Sequence, residues 1–137
     1  MPARAEALAV VRAMTETLAG YEELDRETAA DLALAVDEAC TVLIGIAADG
    51  APLVLVEDPY AHQVNVRVST ICAGDETEGI EADDGFRLSG FSRRVLEALT
   101  DKVRTFADHI ESEDSGTGGP AFGISLTIRR RWAPAHA

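Results

Sequence analysis

The run DLALAVDEACTVLIGI, Asp31–Ile46, constrains this chain more than any other segment. Leu32, Val36, Ala39, Leu43 and Ile46 recur at helical spacing and predict one apolar stripe. Leu34, Thr41, Val42 and Gly45 fall on roughly the opposite side, with Glu38 among them. A helix apolar on both sides is expected to be buried on both sides. A buried carboxylate is costly unless it is paired or hydrogen-bonded. Glu38 therefore has a local partner or faces a pocket. A carboxylate at the helix edge, bonded to a loop amide, fits the pattern equally well.

A chain of 137 residues has room for one domain with a real core, spanning 1–137, with frayed ends expected at 1–4 and 132–137. Aromatics make up only 5%, so the core must come from Ala, Val, Leu and Ile. The formal net charge of −12 repels phosphates and argues against nucleic acid, while favouring a basic partner. No apolar run is long enough to cross a bilayer, and no basic segment leads into an apolar one at the start, so the expected setting is cytoplasmic. Cys40 and Cys72 read as free, inert thiols. His62, His109 and His136 fall in loops or at the tail, and no metal-ligand spacing occurs.

A first helix is expected over Ala5–Leu18, ended by Gly20. Asp25 or Thr28 can cap a second, running to about Ala47. Leu53–Glu57 and Val64–Ile71 read as a hairpin turning at Asp58-Pro59. A long polar loop follows to about Leu88 and holds six acids within Asp75–Asp84, a pattern that usually marks a solvated loop. Ser89 can cap a third helix, with Phe91, Val95 and Leu99 stacked at i, i+4 and i+8. Val103–Asp108 is a short strand, Ser112–Pro120 a loop, and Ala121–Arg129 a strand that alternates Phe122, Ile124, Leu126 and Ile128 against Gly123, Ser125 and Thr127. Arg129–Arg131 is a basic cluster at the end of that strand. Hairpin-joined strands with helices on one face make an α+β two-layer sandwich.

At Asp37-Glu38-Ala39-Cys40-Thr41, on a helix before a hairpin and a loose loop, the chain resembles the GHKL ATPase superfamily. More narrowly it resembles anti-sigma-factor serine kinases of the RsbW and SpoIIAB type, and within these the divergent UsfX-like anti-sigma factors. Asp31–Ile46, Gly90–Val103 and Phe122–Arg129 carry the likeness, in family order. It implies a Bergerat-type fold, a mainly antiparallel mixed sheet covered on one face by three helices.

The resemblance also implies a site built for ATP and Mg²⁺. The family's helix glutamate is the general base, and Glu38 matches it. An asparagine four residues later ligates Mg²⁺, but here it is Val42, which has no oxygen to offer a hard cation. The family's Asp-x-Gly-x-Gly motif falls on Thr70–Gly74, so Thr70 replaces the adenine-reading aspartate, Cys72 the first glycine, and Gly74 alone survives. The phosphate loop shrinks to Gly90, with Arg93 and Arg94 nearby. Metal, base and phosphate contacts are all weakened while the scaffold is kept, and catalysis needs them placed together. The expectation is a degenerate nucleotide site without kinase activity, in which Glu38 is a structural acid bonded to Thr41, Thr70 or a backbone group.

By the same resemblance, an arginine on the first helix grips the sigma factor and, in turn, the anti-anti-sigma protein of the STAS fold. Arg12 stands at that position, where an ordinary solvated arginine would read the same way. The family forms homodimers, and its chains begin with a strand before helix one, whereas here Met1-Pro2 stands almost at the helix. Two function classes follow: a binding module that sequesters an alternative sigma factor, or an ATP-dependent serine kinase acting on an anti-anti-sigma protein. Val42 and Thr70 favour the first.

Overall fold

Three helices and four strands appear in the expected order: α1 (Ala7–Tyr21), α2 (Arg26–Ile46), β1 (Leu53–Pro59), β2 (Gln63–Ile71), α3 (Gly90–Leu99), β3 (Lys102–His109) and β4 (Pro120–Arg129). The computed structural model describes residues 1–72, 88–109 and 120–131. Gly74, the acidic run Asp75–Asp84, most of the loop Ser112–Pro120 and the tail from Trp132 lie outside the described residues.

The sheet runs β1-β2-β4-β3, and every neighbouring pair is antiparallel. The hairpin pairs Leu53 with Thr70 through to Pro59 with Val64. The chain then crosses by α3 to the far edge and returns as β4 between β2 and β3. Strand alternation sorts the two faces as expected. Val64, Val66, Val68, Ile124, Leu126 and Ile128 are buried beneath the helices, with Leu32, Val36, Ala39 and Leu43 of α2 at the centre of the core. The other face mixes polar side chains with Val54, Val56 and Phe106. Its Asn65 Nδ2 donates to Ser125 Oγ, Thr127 Oγ1 and the Leu126 carbonyl at 3.0–3.1 Å. On the same face the Phe106 ring lies directly over Gly123, where a Cβ would come within 2.1 Å of it. A glycine in a strand is explained by such a close approach.

Each helix departs from its expected form in one respect. In α1, Gly20 is not the terminator. The helix runs to Tyr21, and Glu23 takes the left-handed conformation (φ 54°). The Glu23 and Leu24 amides donate to the Gly20 and Ala19 carbonyls, the bond pair of a Schellman ending. In α2, Asp25 is the cap, accepting from the Thr28 amide at 3.2 Å. The stripe from Leu32 to Leu43 is fully buried, but Leu34 is 59% exposed and Thr41 and Gly45 face solvent. The helix is not buried on both sides: it rests on the sheet with α1 and α3 on its flanks, which leaves its outer side in water. In α3, Ser89 caps as expected, accepting from the Ser92 amide at 3.1 Å. The buried stripe is instead Ser92 and Leu96, and Phe91 is 75% exposed. A one-residue turn of the helix brings Ser92 inward.

Met1–Ala3, expected to fray, are tied down. The Met1 ammonium donates to the Leu53 carbonyl, the Leu53 amide donates back to the Met1 carbonyl, and the Ala3 amide donates to Ala51. Pro2 and Pro52 form an antiparallel bridge.

Both cysteines are buried, and no disulfide joins them. Burial pushes the Cys40 thiol up to about 12 from an ordinary 9.0. The folded state therefore favours the protonated thiol. That contribution is complete below pH 9 and is lost as pH rises toward 12, at about 1.4 kcal/mol per pH unit. Urea titrations at pH 8, 9 and 10 are expected to show this alkaline loss, and Cys40→Ala should flatten that part of the profile. An unchanged slope in the variant would assign the loss to other groups.

Candidate functional site

Glu38 projects from the middle of α2 toward the first turn of α3. Its Oε1 accepts a hydrogen bond from Ser92 Oγ at 3.0 Å, and the carboxylate is half-buried. Ser92 is 7% exposed, and its amide is held by Ser89 Oγ. A chain of bonds thus runs from the α3 cap to the α2 acid. It meets the requirement read from the sequence, a partner for Glu38, but with a different group. Thr41 Oγ1 donates to the Asp37 carbonyl one turn back, and Thr70 Oγ1 donates to the Pro52 carbonyl, each at 2.8 Å. Neither hydroxyl reaches Glu38.

The other positions that the resemblance assigns to a nucleotide are not brought into one site. Val42 is half-buried and packs against the core. Thr70 is 2% exposed beneath the helices, and its hydroxyl is engaged by Pro52. Gly90 opens α3 beside the Glu38 contact, but nothing lies within 4 Å of where a Cβ would sit, so no close approach requires glycine there. Arg93 pairs loosely with Glu97 at 3.5 Å on the α3 surface, and Arg94 is exposed. Gly74 lies outside the described residues. Among the described residues no cluster of three His, Cys, Asp or Glu side chains offers a metal site, and no helix is long and apolar enough to cross a membrane.

On the outer surface, Arg12 of α1 reaches across to Asp37 of α2. Nε lies 2.8 Å from Oδ1 and Nη2 3.3 Å from Oδ2, a two-pronged pair with the arginine 58% exposed. Arg12 projects outward as expected, but it is not unpartnered. Asp37 and Glu38 are adjacent in sequence, and one serves this surface while the other serves α3. Sequence reading missed both Ser92 and Asp37 as partners. Each bond joins residues 25 or more apart and leaves no local signature.

No family model matches the chain. Two relatives do: the anti-sigma-F factors RsbW of Mycobacterium tuberculosis strains CDC 1551/Oshkosh and ATCC 25618/H37Rv. Each is 41% identical over 128 residues, covering 93% of this chain and 70% of the relative. A solved structure, the mycobacterial sensor histidine kinase MprB, aligns over 74% of this chain and 75% of its own at TM-score 0.45 and 13% identity. Three helices cover one face of the antiparallel sheet, and an acid of the central helix meets the start of the third. With these relatives the chain belongs to the RsbW family of anti-sigma factors.

Proposed function

We propose that this protein sequesters an alternative sigma factor in the cytoplasm by contact alone, and that an anti-anti-sigma protein of the STAS fold releases it. The observation that carries this reading is the 41% identity to an anti-sigma-F factor over 93% of the chain. Net acidity supports it, because a charge of −12 steers a basic partner surface toward the complex. The retained scaffold with hydrocarbon at Val42 supports action without phosphoryl transfer. The protein works as a homodimer, and Arg12 forms part of the gripping surface. The kinase alternative rests on Glu38, whose Oε1 is engaged by Ser92.

Co-purification with each sigma factor of the source organism tests the reading. A stable complex with one of the sigma-F kind is expected, and failure to bind any of them at micromolar concentration and low salt overturns it. Because Arg12 is paired with Asp37, its role in binding can be separated from its role in packing. Arg12→Asp combined with Asp37→Arg keeps the intramolecular pair but reverses the charge offered at position 12. Binding is expected to weaken by about tenfold or more, with the melting temperature nearly unchanged, since exposed pairs contribute under about 1 kcal/mol. Unchanged affinity in the swapped variant would place Arg12 outside the interface.

A further inference from the structure

The face of the sheet turned away from the helices has a charge of its own. Strand register lines up Val56, Arg67, Ser125 and Arg104 in one row across β1, β2, β4 and β3, and Asp58, Asn65, Thr127 and Lys102 in the next. Neighbouring strands lie about 4.8 Å apart, so Arg67 and Arg104 flank Ser125 from either side and Lys102 stands beside Thr127. All three cations are exposed. Arg67 meets Asp58 loosely, at 3.4 Å. Among the described residues no carboxylate pairs with Arg104 or Lys102.

The hydroxyls between these cations are donors as well. Asn65 Nδ2 donates to Ser125 Oγ and to Thr127 Oγ1, and its bond to the Leu126 carbonyl fixes which end of the amide is the nitrogen. Each hydroxyl thus accepts from Asn65 and keeps its own proton for a partner outside. The acceptors in these rows are Asp58, which Arg67 engages, and the Asn65 amide oxygen. On a chain of net charge −12, this is a surface of donors and positive charge. The adjoining row adds Val54 at the β1 edge and the Phe106 ring over Gly123, both apolar.

We propose that the outer face of the sheet binds an acidic segment of a protein partner. The segment lies along the strands. Its carboxylates accept from Arg67, Ser125 and Arg104 and, one row on, from Thr127 and Lys102, while its apolar end rests on Phe106 and Val54. At 0.15 M salt charges are screened over about 8 Å, so the acids of the helical layer, across the sheet, do not cancel this local field. Nucleic acid is the poorer fit, because a polyanion longer than the patch meets the rest of an acidic chain. A second copy docked face to face brings the same cations. Lys102 and Arg104 lie on β3, at the opposite edge of the sheet from β1, so a strand added beside β1 leaves them open. Arg12 belongs to the helical layer, and the partner proposed for that side is basic. The acidic segment therefore belongs to a second partner, and the inference stands whether or not the first is a sigma factor.

The probe is the synthetic peptide acetyl-Phe-Leu-Glu-Asp-Glu-Asp-amide, added to the full chain at 0.15 M salt and followed by NMR. Shifts are expected at Arg67, Ser125, Arg104 and Lys102, with the helices unmoved and a Kd below about 1 mM. The neutral peptide acetyl-Phe-Leu-Gln-Asn-Gln-Asn-amide should bind at least about tenfold more weakly. Arg67→Gln with Arg104→Gln should lose about tenfold in affinity at an unchanged melting temperature, and Arg67→Lys with Arg104→Lys should keep most of it. Four results would overturn the proposal. They are no shifts at millimolar peptide, equal binding of the acidic and neutral peptides, tighter binding of an eight-nucleotide oligothymidine than of the acidic peptide, and a homodimer in sedimentation that the paired Gln variant dissociates. The third would give the face to nucleic acid and the fourth to a second copy.

Discussion

Arg130→Ala is expected to lower stability by about 3 kcal/mol. This arginine follows β4 and ties three parts of the chain together. Nη1 donates to the Glu22 carbonyl at 2.7 Å, Nη2 to Glu22 Oε1 at 2.6 Å, and Nε to the Tyr60 carbonyl at 2.9 Å. Its backbone amide donates to His62. The ends of α1, the hairpin turn and β4 thus meet at one guanidinium. The side chains of Arg130 and Glu22 are 20% and 14% exposed, so this pair is mostly withdrawn from water. Truncating the arginine strands a half-buried carboxylate and removes donors from two carbonyls, which costs more than the pair itself contributes. Arg130→Lys keeps the charge but cannot span three acceptors with one ammonium, so an intermediate loss is expected. Arg131 supplies the contrast. It pairs with Glu27 at 2.8 Å, but the two are 58% and 69% exposed, and Arg131→Ala should cost less than about 1 kcal/mol. Urea midpoints at unchanged slope measure all three. An Arg130→Ala loss no larger than that of Arg131→Ala would show that the clamp carries no weight.

That contrast shows where sequence reading stops. Arg129–Arg131 was legible as a basic cluster at a strand end and no further, because what separates the three arginines is the distant element each one meets. The hairpin, the alternation of β4 and the buried stripe of α2 were legible for the opposite reason: strand and helix periodicity are local and repeat. The α3 stripe was misplaced by one position. Phe91 is the more apolar residue, so periodicity put it inside. The bond from Ser92 to Glu38 settles the helix rotation the other way, and that bond spans two elements. At the candidate site, the residue types at Glu38, Val42 and Thr70 were readable one by one. Their partners were not, since Thr70 is engaged by Pro52 and Glu38 by Ser92.

Calorimetry with Mg·ATP at millimolar concentration is expected to show no saturable binding. Val42 gives magnesium no oxygen. Thr70 replaces the carboxylate expected to read adenine, and its hydroxyl already donates to Pro52. Losing one charge-assisted hydrogen bond costs about 1.5–3 kcal/mol, or one to two decades of affinity, and the missing metal contact adds to that. The structure also predicts which repairs can work. Thr70→Asp would bury a carboxylate where the side chain is 2% exposed and would remove the bond to Pro52, so it should destabilise the fold rather than restore a base contact. Val42→Asn lies on a half-buried flank of α2 and is the more tolerable change. Ser92→Ala frees the Glu38 oxygen, at a cost of about 1 kcal/mol for the lost bond. Val42→Asn with Ser92→Ala is therefore the pair in which weak Mg·ATP binding should first reappear, while Thr70→Asp adds nothing to it. Tight binding by the unaltered protein would reverse this reading. So would transfer of labelled phosphate to an anti-anti-sigma protein that Glu38→Ala abolishes, because Glu38 would then be acting as the base despite its bond to Ser92.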